Sequence, residues 1–380
     1  MRDFEISKGV NLLCSLGMGN VNDPELRAQA DSKHPTRAHP IHEDWRHYID
    51  PVAVPEGAES LAREALDLKL GALGMSRRKA AGVTGGRNEH VRALAGEFED
   101  VVAQAAIDTY SEFASLCVNA KMPGWFYSLL AINRLVMPFK KVPLPGEVPD
   151  CRPVAVPQSD RVAMERALFK AAEEEHASYL MPQQLGVGVK SGISLLIFGL
   201  RGMMEMFPDF VFVSLDTRNA HNEFSRAMCL KAYGAIPSLA HLVPYMHSMF
   251  VIRARVQAGD GWLNRRSEEG GAQGAPGSSP EYCVTTHKAV RALDAAVAAF
   301  GGCARFYSDN GFVCGPANVV WPAIERFAVA LAELNLVFRM DKGECHSPNL
   351  NGVYGERPAE MPIGSITVVG EETAGHGINV

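Results

Sequence analysis

The sequence lacks the features that mark secreted and metal-scaffolded proteins. Its eight cysteines are spread singly over 380 residues, with no Cys-x-x-Cys spacing. That distribution favours reduced thiols in an intracellular protein, in the nucleus or the cytoplasm, over a disulfide framework or a zinc site. The amino end also lacks the apolar core of a signal peptide.

Long apolar runs and an excess of positive charge are missing as well. The run from Ile193 to Met206 is too short to cross a membrane and contains Arg201 and Glu205. Because the formal net charge is -6, any binding to nucleic acid must depend on a local basic surface. The chain is long enough for a sizeable core and for two or three domains.

The first 141 residues contain no motif with a recognisable chemical role. Residues 1–55 are polar, and their clustered histidines have no cysteine or carboxylate at a ligand spacing beside them. We therefore expect a mobile or loosely packed arm rather than a metal site. Residues 56–141 show helical periodicity and form a helical preface whose role stays open. The histidines of the arm are His34, His39, His42 and His47.

Two carboxylates follow strand-like runs. In residues 306–315, an Asn-Gly pair between apolar residues predicts a tight hairpin with positive φ at both turn positions and Asp309 at its tip. Taken alone, Asp309 and Asn310 are also what a plain turn would contain. Asp216 ends the dense apolar run of residues 210–215 and precedes a helix, which places it at the rim of a sheet.

The remaining pattern indicates an α+β fold. Residues 250–256 alternate with period two, which predicts a strand with Arg253 and Arg255 on one face. Residues 265–280 form a loop rich in glycine, serine and charge, and residues 366–370 read as a last strand. The order of elements is that of a split βαβ antiparallel sheet backed by helices, with Asp216 and Asp309 on neighbouring strands.

From Arg152 to Gly370 the chain resembles the reverse transcriptase domain of non-LTR retrotransposons. The family motifs RPI-x-I, Q-x-G-V-x-x-G, LD-x-x-NAFN, QGDPLGP, aromatic-x-Asp-Asp, LN-x-x-K-x-E and a hairpin with LG have counterparts here in the same order. Each match is weak alone, and the shared order carries the resemblance. The counterparts are RPVAVP, QLGVGVKSG, VSLDTRNAHN, AQGAPGSSP, FYSDNGFVCG, LNLVFRMDKGEC and PIGSITVVG.

The resemblance implies a right-hand polymerase palm with partial fingers and no thumb. It also implies an RNA-directed DNA polymerase that uses two Mg²⁺ ions, or Mn²⁺, with an RNA template, a primer strand and deoxynucleoside triphosphates as partners and no membrane. The fingers-like region, the palm and the carboxyl-terminal hairpin of the palm would be residues 142–208, 209–348 and 349–380.

The resemblance also assigns roles to individual residues. Asp216, Asp309 and the main-chain carbonyl of Thr217 would hold the metal ions, since hard cations prefer oxygen ligands. Asn310 would stand beside them, and Lys342 would donate a proton to the departing pyrophosphate. The nucleotide would be contacted by Arg152, Arg218, His221, Gln273 and Gly274. Each of these residues also has an ordinary reading as a turn, loop or solvated side chain.

The chain departs from the family pattern at several points. Asn310 replaces the second aspartate of the usual pair, His221 replaces an aromatic gate, and Ala275 replaces the aspartate of QGDP. The chain stops at Val380, where a thumb is expected. Two alternatives therefore stay open: a degenerate remnant that at most binds nucleic acid, and a helical interaction protein that works through residues 57–130. Template preference, oligomeric state and whether the chain is a fragment also stay open.

Overall fold

A computed structural model describes residues 17–50, 67–77, 79, 81–95, 101–349 and 354–364. The protein is α+β, as expected from the sequence: small antiparallel and mixed sheets are packed among helices. Its helices are α1 (Pro24–Ser32), α2 (Leu68–Leu73), α3 (Asn88–Leu94), α4 (Val101–Val118), α5 (Gly124–Leu130), α6 (Ser159–Ala171), α7 (Glu173–Leu180), α8 (Gly192–Met206), α9 (Ala220–Glu223), α10 (Arg226–Gly234), α11 (Val243–Phe250), α12 (Ser278–Ala298) and α13 (Ala317–Glu333), with short 3-10 turns at Trp45–Tyr48 and Ala240–Leu242.

The strands are β1 (Asn133–Val136), β2 (Val154–Val156), β3 (Val211–Leu215), β4 (Thr217–Arg218), β5 (Val256–Ala258), β6 (Gly261–Trp262), β7 (Cys303–Tyr307), β8 (Asn310–Gly315), β9 (Val337–Phe338) and β10 (Cys345–His346). The central sheet has the order β10-β3-β8-β7 and is antiparallel throughout. A second sheet has the order β2-β1-β5-β6, in which β1 and β5 are parallel, and β4 pairs only with β9.

The central sheet is buried on both faces, which explains the continuous apolar run of β3. Successive residues of a strand point to opposite faces. Val211 and Val213 lie in the main core, whereas Phe212 packs with Leu196 and Leu200 of α8. The main core also takes in buried residues of α12 and α13, so helices cover the other face of the sheet.

The amino-terminal segments pack against this body. Tyr48 and residues of α2 to α4, such as Leu68 and Val91, belong to the same apolar cluster as the central strands. Helix α1 contributes Leu26 to a smaller cluster with β1 and β5. The histidine-rich stretch is engaged here too, because His34 is 5% exposed and His39 hydrogen-bonds to a serine hydroxyl at the start of α10.

The structure differs from two local expectations, and a third falls outside the described residues. The β7–β8 hairpin exists, but Tyr307 pairs with Asn310, so the turn residues are Ser308 and Asp309 rather than the Asn-Gly pair. The strand expected over residues 250–256 is wrong, since α11 runs to Phe250 and β5 begins only at Val256. The strand expected over residues 366–370 lies outside the described residues. None of the described helices has the length and apolar character needed to cross a membrane.

Candidate active site

The hairpin turn that carries Asp309 is held by a buried glutamine. The side-chain amide of Gln184 accepts a hydrogen bond from the Ser308 N–H at 2.8 Å and donates one to the Ser308 carbonyl at 2.9 Å. Gln184 is 2% exposed, and Ser308 has a φ of 57°. A β-carbon at Gly186 would lie 2.5 Å from the Ser308 nitrogen, so only glycine fits there. Gln184 and Gly186 of the QLGVGVKSG segment therefore hold the turn in place.

Asp216 lies where the chain leaves the central sheet. Leu215 is paired with Gly311 at the end of the β3–β8 ladder, so Asp216 follows at the position opposite Asn310. Its main-chain carbonyl accepts a hydrogen bond from the Arg339 N–H at 2.9 Å, and the next residues form β4 against β9. Asp216 is exposed, as expected of a residue at a sheet rim. Strands β3 and β8 are neighbours, so Asp216, which follows β3, and Asp309, in the turn before β8, lie at adjoining strand ends rather than on the strands themselves.

The strand ladder also orients the carbonyl of Thr217. Residues of an antiparallel pair alternate between bonded and non-bonded positions. Because Asp216 and Arg339 form a bonded pair, Thr217 occupies a non-bonded position opposite Phe338, and its carbonyl points away from β9. The main-chain oxygen of Thr217 thus takes no part in the β4–β9 ladder.

The two carboxylates influence each other. Burial, and next the charge of Asp309, raises the pKa of Asp216, while the positive charges of Arg339 and Lys342 oppose that change. Burial also pulls the pKa of Asp309 upward, but the nearby imidazole and charge of His221 and the charge of Arg152 outweigh it, and that pKa is lowered. The surroundings therefore shift the two pKa values in opposite directions, that of Asp309 down and that of Asp216 up.

His221 connects the hairpin turn to the glycine-rich loop. Its Nε2 atom lies 3.8 Å from the Asp309 Oδ1 atom, and its Nδ1 atom lies 3.3 Å from the Ser278 hydroxyl. Its ring centre is 5.5 Å from that of Tyr282 on α12. The His221 side chain is only 18% exposed, so the ring has a fixed position beside the Asp309 carboxylate.

The loop of residues 269–277 lies against the segment expected to belong to the fingers. The Gly274 N–H donates to the Ala155 carbonyl of β2 at 3.3 Å, and a β-carbon at Gly274 would lie 3.0 Å from that oxygen. Gln273 and Gly274 are both exposed at the surface of this joint. Arg152, which precedes β2, is also exposed and is close enough to lower the pKa of Asp309.

Of the other expected site residues, Asn310 and Lys342 lie exposed near the aspartates, whereas Arg218 does not face them. Asn310 is exposed at the start of β8, and Lys342 is exposed where its charge acts on Asp216. Arg218 is turned to another partner, because its guanidinium is 3.3 Å from the Glu223 carboxylate. The structure therefore gathers Arg152, His221 and Lys342 around the two aspartates, whereas Arg218 is engaged elsewhere.

The oxygen atoms of this site suit a divalent cation only in part. Nowhere in the described ranges do three or more His, Cys, Asp or Glu side chains form a group able to hold a metal ion. Asp216, Asp309 and the Thr217 carbonyl are a smaller set of hard oxygen donors. Such a set fits Mg²⁺, which keeps several waters and takes further oxygens from substrate phosphates.

A cleft of about 390 Å³ opens beside the hairpin turn. It is lined by Arg166 and Lys170 of α6, by Gly186 and Gly188, and by Ser279 at the start of α12. The Ser279 hydroxyl is 3.0 Å from the Ser308 hydroxyl, so the cleft adjoins the turn that carries the aspartate. Lys170 is paired with Glu173 at the mouth of the cleft.

Sequence reasoning missed the role of Gln184. In the sequence Gln184 is only the first residue of the QLGVGVKSG motif, although a glutamine side chain carries both a donor and an acceptor and so can hold a backbone turn. The contact between His221 and Asp309 was also missed, since it joins distant parts of the chain. The chain matches no protein-family model, and no curated protein matches it.

Proposed function

We propose that this chain is an RNA-directed DNA polymerase domain of the type found in non-LTR retrotransposons, with the right-hand palm, partial fingers and Mg²⁺ or Mn²⁺ dependence that this implies. The observation that carries the proposal is the pairing of β3 with β8, which brings Asp216 next to the turn that carries Asp309. Two acids from separate strands at one sheet rim are what a two-ion nucleotidyl transfer requires.

Asp216, Asp309 and the Thr217 carbonyl would hold the ions. When bound, the ions supply activation of the primer hydroxyl and neutralise charge on the triphosphate. The raised pKa of Asp216 supports this role, because two carboxylates in mutual repulsion favour cation binding. The remaining groups act directly on the substrates: Arg152 offers a fixed positive charge beside Asp309, and exposed Lys342 is available to protonate the leaving group.

The glycine-rich loop and the cleft provide surfaces on which the template and the nucleotide would lie. Gln273 and Gly274 lie exposed where the glycine-rich loop meets β2, a surface on which a nascent base pair could rest. His221 stands beside Asp309 and Ser278, where it would flank the sugar of an incoming nucleotide. The cleft beside the turn is lined by Arg166, which would attract a nucleic-acid backbone, and by Lys170, which is paired with Glu173.

A specific observation favours a second candidate, a catalytically silent protein that only binds nucleic acid. Asn310 occupies the exposed position opposite Asp216, where it supplies an amide oxygen and no charge. The two candidates differ in one assay. Extension of a primer on an RNA template with Mg²⁺ or Mn²⁺, abolished by Asp216→Ala, supports the polymerase, whereas template binding without extension under either metal supports the silent form.

A further inference from the structure

Two cysteines face each other across the β7–β8 hairpin. Cys303 and Cys314 are directly paired residues of these antiparallel strands, and their sulfur atoms are 3.6 Å apart. Directly paired residues in such strands have Cα atoms about 4.5–5.5 Å apart, which lies within the range of disulfide-bonded cysteines. The two thiols can therefore be bridged without a rearrangement of the hairpin.

The two thiols are chemically unequal. The hydrogen bond with Cys314 lowers the pKa of Cys303 to about 7, helped by the charge of Arg305 and opposed by burial. The same hydrogen bond, together with burial, raises the pKa of Cys314. The lowered pKa of Cys303 favours its thiolate, the nucleophilic form, whereas the raised pKa of Cys314 favours its thiol.

Cys303 also differs from the other cysteines in exposure. Of the cysteines in the described ranges, Cys303 is partly exposed and the rest are buried. For Cys117, Cys229 and Cys283, burial raises the pKa and so keeps the thiol protonated. An oxidant in solution would thus meet Cys303 in its reactive form before it met these other thiols.

We propose that Cys303 and Cys314 form a hydroperoxide-reactive dithiol, a modification site that closes to a reversible disulfide. The Cys303 thiolate attacks one peroxide oxygen, the O–O bond breaks, and Cys303 becomes a sulfenic acid while hydroxide or alkoxide leaves and is protonated. The Cys314 thiol then loses its proton, and its sulfur attacks the Cys303 sulfur and expels hydroxide, which takes up that proton as water. Two thiols and one hydroperoxide give one disulfide, one alcohol or water, and one water.

This site is independent of nucleotidyl transfer. The cysteine pair lies at the end of the hairpin away from the turn, and Asp309 lies in the turn itself. The proposal rests on the two thiols and on Arg305, so its outcome does not depend on whether the chain has polymerase activity.

Peptide mapping of the full chain tests the proposal. The reduced protein is treated with hydrogen peroxide in the presence of a metal chelator, blocked with N-ethylmaleimide and digested with trypsin. Trypsin cleaves after Arg305, so the disulfide joins peptide 292–305 to peptide 306–326. We expect this linked pair to be the first cysteine product, to form from most of the Cys303, and to disappear with dithiothreitol.

Matched variants separate the bond from general oxidation. In Cys314→Ala the linked pair should be absent, and Cys303, without the Cys314 hydrogen bond, should be oxidised more slowly to a sulfenic acid that dimedone traps. Cys283→Ala should form the linked pair as the wild type does. Unfolding in urea before peroxide should remove the preference for this pair. Three results for Cys303 of the folded wild type would overturn the proposal: continued alkylation, oxidation to the sulfinic acid without a linked peptide, or a link to another cysteine. The peptide map of the wild type gives this answer even if Cys314→Ala does not fold.

Discussion

Asp216 and Asp309 stand at adjoining ends of two antiparallel strands, and the charge of Asp309 is, after burial, the largest cause that raises the pKa of Asp216. Without a cation, the folded protein holds two repelling carboxylates at one rim of the central sheet. A divalent ion would relieve that repulsion. If the proposed ions bind at this rim, the same pair of residues would link the stability of the fold to metal binding.

Replacement of Asp216 by Asn should stabilise the cation-free protein. The folded-state pKa of Asp216 lies above its unfolded value, so ionisation costs the folded state more than the unfolded state. D216N should be more stable than the wild type at pH 7, by less than about 1 kcal/mol because the side chain is exposed. The difference should vanish below the unfolded-state pKa of about 3.9.

Urea denaturation at pH 7 and pH 3 in a chelating buffer measures this difference. Asp260→Asn is a suitable control, because Asp260 is exposed in the β5–β6 turn and should show no change at either pH. A D216N variant that is less stable than the wild type at pH 7 would show that repulsion does not dominate at this rim.

Replacement of Asn310 by Asp should strengthen metal binding. Asn310 and Asp216 lie just beyond the last pair of the β3–β8 ladder, Leu215 and Gly311, so a third carboxylate there adds both repulsion and an anionic oxygen ligand. We expect a lower melting temperature than the wild type in chelator and a larger rise in melting temperature with Mg²⁺. The double variant Asp216→Asn with Asn310→Asp keeps the net charge and should respond to Mg²⁺ less than the single variant. Equal Mg²⁺ responses in all three proteins would argue against an ion at this rim.

Gln184 should stabilise the turn that carries Asp309. Gln184→Leu leaves the Ser308 N–H and carbonyl without their buried partner, which should cost about 2–4 kcal/mol of unfolding free energy. Gln184→Glu keeps the acceptor and should cost less. Gln104→Leu, on the exposed side of α4, serves as the control and should change the unfolding free energy by less than about 0.5 kcal/mol. Equal values for the two leucine variants would rule out the clamp.

Glu281 should make the protein less stable as the pH rises. The residue is buried at the start of α12, and burial, then the charge of Glu165, raises its pKa to about 8. Because the folded state holds this proton more tightly than the unfolded state, stability is greatest at low pH and falls between about pH 4.3 and pH 8, by up to about 1.4 kcal/mol per pH unit. Glu281→Gln should flatten that slope, whereas exposed Glu333→Gln should leave it unchanged. Identical slopes for Glu281→Gln and the wild type would contradict a neutral, buried carboxyl group.

Apolar patterning predicted the parts of the site that depend on local sequence. The β-branched and aromatic run before Asp216 forms β3, and the apolar residues around Asp309 form the β7–β8 hairpin. The hairpin register was not predictable in the same way, because it depends on contacts between distant residues. Gln184 holds Ser308 in the turn, and the Phe306 ring leaves no room for a β-carbon at Gly311, so Asn310 and Gly311 lie in the strand instead.

Long-range hydrogen bonds also explain the failed strand at residues 250–256. The buried guanidinium of Arg226 donates to the Ile252 carbonyl at 3.1 Å and to the Ser267 hydroxyl at 2.9 Å. The Ile252 carbonyl is thereby taken up by a side chain, and Ala254 forms an isolated bridge with Ser267 in place of a ladder. The alternating pattern there reflects the exposure of Arg253 and Arg255. No local pattern in the sequence reports such a contact.

Primer extension tests the central claim most directly. The wild type, Asp216→Asn, Asp309→Asn and the control Asp260→Asn are assayed on a primed RNA template with deoxynucleoside triphosphates and Mg²⁺ or Mn²⁺, and template binding is measured in parallel. We expect the wild type and Asp260→Asn to extend the primer, and each site variant to lose at least about 100-fold in rate while still binding template. Extension that survives both site variants, or a wild type that binds template and extends nothing with either metal, would contradict the account.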